Sequence, residues 1–149
     1  MVAVTFKLEG LSELADGLDE LPKATSTNVV KRALLKAADP IAEYAKRLAP
    51  RLTGALQLSI SPGTTLSRRQ KSLYHKESQV EIFVGPGALV QAITQEFGTV
   101  SQPPQSFMRP AWDAEKMHAL NLIKIELADE IEKARVRIAR KTAALAKGG

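Results

Sequence analysis

Apolar positions fall into two rhythms along this chain. Val2, Val4 and Phe6 alternate with other residues, a period of two that predicts a first strand over 2–8. Leu11, Leu14, Ala15, Leu18 and Leu21 then recur every three or four residues and predict a short amphipathic helix that stops before Pro22. Hydroxyls from Thr25 to Thr27 predict the cap of a second helix, with a stripe of Val30, Ala33, Leu34, Ala37, Ile41, Tyr44, Ala45 and Leu48. Inside it, Pro40 removes a backbone donor, so a kink or a break with Asp39 as a new cap is expected. Leu56, Leu58 and Ile60 alternate with Gln57, Ser59 and Ser61, and Val80, Ile82 and Val84 do the same; each set predicts a half-buried strand. Residues 61–78 between them have no strong pattern and are long for a hairpin connection, which marks a functional or disordered loop. Ala88 to Phe97 predicts a short helix with Leu89, Ala92, Ile93 and Phe97 on its buried face and Gly98 as a left-handed cap. A last helix is predicted from about Pro110 to Ala146, its stripe formed by Leu120, Ile123, Leu127, Ile131, Ala134 and Ile138.

These elements predict a single α+β domain over 1–149, with a small, mainly antiparallel sheet and helices on one face. The last helix is informative by length. Roughly 36 residues would span about 54 Å, against about 38 Å for a compact chain of this size. It must bend, fray or pack on a partner. Its apolar stripe continues through Ile138 towards Leu145, which favours a partner, and a second copy would supply one.

Composition narrows the class. A chain 44% hydrophobic and 25% charged reads as an ordinary globular protein. With 5% aromatic residues, its core must be built mostly from Leu, Ile, Val and Ala. The absence of cysteine excludes disulfides and thiolate metal sites and is compatible with a reducing compartment. The start carries no apolar run like a signal peptide, and no stretch nears the roughly 18 to 20 apolar residues of a membrane span. The net charge of +5 is unevenly placed. Glu9, Glu13, Asp16, Asp19 and Glu20 form an acidic run without a base. Lys133, Arg135, Arg137, Arg140, Lys141 and Lys147 make a basic helix end over 133–149. The 61–78 loop adds Arg68, Arg69, Lys71 and Lys76. Such bases suit phosphates or an acidic protein surface, and a solvated helix end accounts for the second cluster equally well.

Catalytic patterns are missing. His75 and His118 lie in different elements without partners at ligand spacing, so no metal site is expected. No serine sits in a G-x-S-x-G elbow, and "GPGALVQ" lacks the Lys-Ser/Thr of a phosphate loop. No catalytic, metal or cofactor residue is assigned, and an enzyme is not expected.

The remaining signal sits at two junctions. In "AKRLAPRLTGALQLSI", Pro50 ends a helix and Thr53-Gly54 makes a tight turn. In "VGPGALVQAITQEFGTVSQPPQSFMRPAWD", Glu96 precedes Phe97, Gly98 frees the backbone, and Pro103-Pro104 stiffen the connection. Phe107 and Met108 are apolar anchors, and Pro110 fits the first turn of a helix. A charge-assisted contact between Glu96 and Arg109 would tie the ends of that connection together.

Together these stretches resemble the tail-completion and head–tail joining family of tailed bacteriophages. The matching positions are Ala49-Pro50, Thr53-Gly54, Leu56, Ser59-Ile60, Val84-Gly85, Glu96 through Thr99, and Phe107 to Ala111 with Arg109 and Pro110. Ser106 departs from the pattern, where a proline often precedes the Phe, and is expected to loosen the turn. The resemblance implies a non-enzymatic virion protein of the neck that needs no cofactor. It further implies a ring, with a hexamer expected first and a dodecamer second, between the head connector or stopper and the tail terminator or tube. DNA would be expected to pass through the lumen of such a ring. On that reading Arg68, Arg69, Lys71 and Lys76 are candidate lumen contacts, and Arg135, Arg137, Arg140 and Lys141 are candidate inter-subunit contacts. No membrane is involved, and assembly is expected in the host cytoplasm. A stopper or terminator role, and a non-specific DNA-binding module, are the alternatives.

Overall fold

The computed structural model describes residues 10–51 and 54–148; the strand expected over 2–8, together with Glu9 and Thr53, lies outside them. Among the described residues, six helices and one two-stranded sheet make an α+β architecture. In chain order they are α1 (Leu11–Asp19), α2 (Lys23–Leu48), α3 (Ala55–Ser59), β1 (Ser61–Gly63), α4 (Arg68–Leu73), β2 (Phe83–Gly85), α5 (Val90–Phe97) and α6 (Met108–Lys147).

The antiparallel pairing of α2 with α6 is the frame. Two apolar clusters lie along it. One gathers Leu21, Val29, Ala33, Leu127, Ile131 and Ala134 near the start of α2. The other joins the end of α2 to the start of α6 through Ile41, Ala45, Ile60, Ala92, Phe107 and Ala111. So many alanines in the seam let two long backbones approach closely, which fits the low aromatic content. Phe107, Ile60 and Val29 are the largest side chains fully enclosed.

Helix α2 does not break at Pro40. It runs unbroken over 26 residues with Pro40 inside. Ala37, Ala38, Ile41 and Ala42 are all buried around the proline, so the packed face holds the helix where local propensity would end it. Its start also differs from expectation, since the helix begins at Lys23 after Pro22. The hydroxyls of Ser26 and Thr27 donate back to the Lys23 carbonyl at 3.0 and 2.9 Å rather than capping free N–H groups.

Residues 55–59 are helical, not a strand. Leu56 and Ile60 share a face under either period, so Leu58 is the residue that decides, and it is 87% exposed. Gln57 points back instead, donating to the carbonyls of Lys46 and Ala49 at the end of α2. Gly54 starts the turn with φ at 76°.

The sheet is shorter than the alternation suggested. Among the described residues, β1 and β2 pair antiparallel with Ser61 opposite Gly85 and Gly63 opposite Phe83. The 61–78 segment is structured. It opens with β1 and contains α4, whose capping box pairs the Ser67 hydroxyl with the Gln70 N–H and the Gln70 amide with the Ser67 N–H. The Glu81 carboxylate accepts from the N–H groups of Glu77 and Ser78, and Tyr74 stacks edge-on against Phe83.

Candidate functional site: a buried carboxylate at the head of α6

The connection from α5 to α6 is organised by Glu96. Along α5, Ala92 and Glu96 face inwards while Val90, Ile93 and Phe97 face out. The expected burial is therefore exchanged between neighbours, with Glu96 5% exposed and Phe97 64% exposed. A carboxylate tolerates burial only when its oxygens are saturated with donors. Three of those donors come from the head of α6, whose own first residues bring no side-chain cap. The N–H groups of Phe107, Met108 and Arg109 donate to the Glu96 carboxylate at 2.8, 2.9 and 3.1 Å. These are N–H groups that every helix start leaves orphaned. Glu96 thus caps α6 from eleven residues upstream, and its charge meets the positive end of a 40-residue helix.

Arg109 completes the arrangement. Its Nε donates to Glu96 Oε1 at 3.0 Å and its Nη2 to the Glu96 carbonyl at 2.7 Å. The same Nη2 reaches the Ser106 hydroxyl at 2.8 Å, and that hydroxyl donates to the Glu96 carbonyl at 2.8 Å. Ser106 therefore ties the turn rather than loosening it. The guanidinium also lies 5.0 Å from the centre of the Phe97 ring. Burial alone would push the Glu96 carboxyl up, but the hydrogen bonds from Phe107, Met108 and Arg109 outweigh it and hold it below the usual carboxylate range.

The loop between has little freedom. Gly98 has φ at 75°, extended in ψ rather than the expected left-handed cap. A Cβ there would meet Gln102 O and Pro104 N at 2.8 Å. The Thr99 N–H donates to the Gln102 carbonyl and the Gln105 N–H to the Gln95 carbonyl, both at 2.8 Å. Phe107 is fully buried in the cluster with Ala45, Ile60 and Ala92, and Pro110 sits in the first turn of α6, where no donor is needed.

Midway along the frame a second carboxylate is buried. Glu130 on α6 accepts from Arg32 Nε at 2.8 Å and Lys36 Nζ at 3.0 Å on α2. The Arg32 hydrogen bond is the main cause that lowers its pKa to about 2, against the opposing effect of burial. Sequence periodicity gave no sign of this clamp, because it pairs positions 94 and 98 residues apart.

The charged candidates are dispersed. Arg68, Arg69 and Lys71 project from α4, and Lys76 follows it, all exposed. Arg135 is engaged inside the chain, its Nη2 donating to Glu20 at 2.8 Å, so it ties α1 to α6. Arg137, Arg140 and Lys141 lie exposed towards the end of α6, with Arg137 and Lys141 beside Thr25, Asn28 and Arg32 of α2. The motif residues Pro50, Gly54, Ser59, Ile60 and Gly85 surround the α2–α3–β1 corner, where the Ser59 hydroxyl donates to Leu56 O at 2.6 Å. His118 contacts Glu115 at 2.9 Å, and no metal-binding cluster occurs among the described residues.

One open groove of about 370 Å³ lies between α2, α6 and β2, with Leu34, Ile82, Val84, Trp112, Met117 and Leu120 along it. A second hollow of about 610 Å³ continues it under the hairpin and shares Ile41, Ile82, Val84 and Trp112. No described helix is long and apolar enough to cross a membrane.

Residues 12–98 match a protein-family model described as "Bacteriophage HK97-gp10, putative tail-component". The match runs from α1 through α5 to Gly98 and covers more than half of the chain. Among the curated proteins and the solved structures, nothing matches. The matched segment carries Glu96 and the corner motif, while the N–H groups that Glu96 caps lie just beyond it. The chain belongs to the HK97-gp10-like family of bacteriophage tail components.

Proposed function

We propose that this protein is a non-enzymatic subunit of the phage neck, a tail-completion or head–tail joining protein that assembles into a ring around the DNA path. Membership of a tail-component family gives it a structural role in the virion tail; the ring, the lumen and the place in the neck are the proposal. The observation that carries it is α6. Its 40 residues extend about 60 Å, yet its last buried residue is Ala134, and everything from Arg135 to Gly148 is exposed. Leu145 continues the apolar stripe into that arm at 71% exposed, while Ile138, at 36%, still lies beside Thr25 and Asn28 of α2. A structural arm of this kind is completed by neighbours. A hexamer is the first choice and a dodecamer the second, with the head connector or stopper on one side and the tail terminator or tube on the other. Assembly would take place in the host cytoplasm.

Negative-stain imaging and mass photometry of the protein mixed with its neck neighbours should give closed rings. Monomers alone under those conditions would reject the reading. The exposed cations of α4 support DNA lining the lumen. Reversing Arg68 and Arg69 to Glu should then weaken DNA retention in assembled particles, with binding to random duplex weak and steeply salt-dependent. Unchanged retention would remove the lumen contact. Imaging of the whole neck distinguishes tail completion from the neighbouring stopper and terminator roles.

A further inference from the structure

We propose that the seam between the first turns of α2 and the exposed arm of α6 is an oxyanion site, formed by Thr25, Asn28, Arg32, Arg137 and Lys141, that takes a phosphate dianion. It is separate from the α4 cations and does not depend on ring formation.

Two polar stripes meet there. Thr25, Asn28 and Arg32 are spaced by three and four residues on α2, and Arg137 and Lys141 by four on α6, so each set lies on one face of its helix. Up to Ala134 the seam is closed by apolar side chains such as Val29, Ala33 and Ile131. Beyond it the two stripes line a hollow of about 290 Å³, with Ala134 and Ile138 as its apolar part. At about 30 Å³ for each water, a space of that order has room for a phosphate group with part of its hydration.

The donors around the hollow are not spent. Arg32 gives its Nε to Glu130, but its Nη2 is shut off from solvent and has no hydrogen-bond partner. An enclosed donor left unpaired is rare in folded proteins. Arg32 lines the hollow and its side chain is 41% exposed, so a small rotation of the guanidinium brings that nitrogen to an acceptor lodged there. Among the described residues, Thr25, Asn28, Arg137 and Lys141 make no side-chain hydrogen bond or ion pair. The neighbouring cations on α6 differ, with Lys133 paired to Asp129 and Arg135 to Glu20.

Charge and donor number select the ligand. Three cations and no carboxylate line the hollow. Thr25 stands in the first turn of the 26-residue α2, whose positive end adds to the field. Under α4, by contrast, Lys31, Lys71 and Lys76 share their hollow with the Glu81 carboxylate, which repels an anion. A carboxylate has too few oxygens for five donor side chains. A phosphate dianion has three or more acceptor oxygens and about two negative charges, which suits three cations with a hydroxyl and an amide. A backbone phosphodiester carries half that charge and matches less well.

Inorganic phosphate titrated into the full chain at constant ionic strength should move the NMR amide signals of Thr25, Asn28, Arg32, Arg137 and Lys141 saturably, with those of β1 and β2 unmoved. Shifts that spread along the arm without saturating would overturn the site. Arg137→Ala with Lys141→Ala, both at exposed positions, should weaken phosphate binding at least about tenfold. Lys133→Ala with Lys147→Ala removes the same charge outside the hollow and should change it by no more than about twofold. Equal losses in the two pairs would mean diffuse attraction and no site. Glycerol phosphate binding as well as inorganic phosphate would extend the site to monoesters, and its exclusion would restrict it to the free ion; both agree with the proposal. Random duplex DNA or a glutamate-rich peptide displacing phosphate from the same residues, and binding more tightly at equal ionic strength, would overturn the dianion assignment in favour of a phosphodiester or a carboxylate.

Discussion

Two buried carboxylates hold the α2–α6 pair, one at the head of α6 and one midway along α2, and they are satisfied by different kinds of donor. Glu96 receives three backbone N–H groups in addition to Arg109. Glu130 receives only side chains, Arg32 and Lys36, whose outer parts are 41% and 44% exposed. Backbone donors at a helix start have fixed directions, so Glu96 sets geometry: it determines where α6 begins and how it leaves the domain. Long cations in partial contact with water adapt and are screened, so Glu130 clamps without specifying much. The head of α6 is therefore built as a joint and the middle of the pair is held by a clasp.

The largest effect should come from the joint's anchor. Phe107→Ala should lower the unfolding free energy by about 3 to 5 kcal/mol in a denaturant titration, since the ring is fully enclosed. A loss under about 1 kcal/mol would mean the loop collapses to fill the space. Next, Glu96→Ala should cost about 2 to 3 kcal/mol, because several buried donors lose their acceptor together. Hydrogen exchange at the Phe107, Met108 and Arg109 amides should quicken in that variant; continued protection there would show that another group caps α6. Gly98→Ala should cost about 1 to 3 kcal/mol through a positive φ and the close approach of Gln102 and Pro104.

At the clasp, Glu130→Gln should cost about 1 to 2 kcal/mol and less at high salt. Its pH dependence follows from a folded pKa of about 2 against an ordinary 4.5. The clasp is fully present above pH 4.5 and is lost as pH falls towards 2. Glu96 shifts in the same direction, so acid weakens both joint and clasp. Glu130→Gln should flatten part of that acid titration, and an unchanged curve would assign the acid sensitivity elsewhere. The smallest effect is the sharpest contrast with Phe107. Phe97→Ala should change stability by no more than about 1 kcal/mol, since the ring is largely in solvent. A loss several-fold larger would show that the Arg109–Phe97 contact supports the joint itself.

Most helices were legible before the fold was known. The stripes of α1, α2, α5 and α6 repeat every three or four residues, and such periods survive in any tertiary setting that offers one covered face. The misreadings share a cause. Leu56 and Ile60 fit both a strand and a helix, and only the contact of Gln57 with the end of α2 places Leu58 outside. The capping box of α4 was present in the letters of Ser67 to Gln70 and could have been found by that spacing alone. The contact between Glu96 and Arg109 was readable from the charges flanking the proline-rich connection, but not which of Glu96 and Phe97 would be buried.

The sequence by itself determined the helical stripes, the turn points at Gly54 and Gly98, the absence of thiol chemistry and the two junction motifs. These depend on side-chain identity and short spacings. Tertiary structure decided that α2 passes through Pro40, that Glu96 rather than Phe97 turns inwards, and that Arg135 is committed to Glu20. The physical reason is the same in each case. Whether a residue is covered, and whether a buried charge is tolerated, depends on donors and surfaces that the chain brings from far along its length. A local pattern cannot contain them.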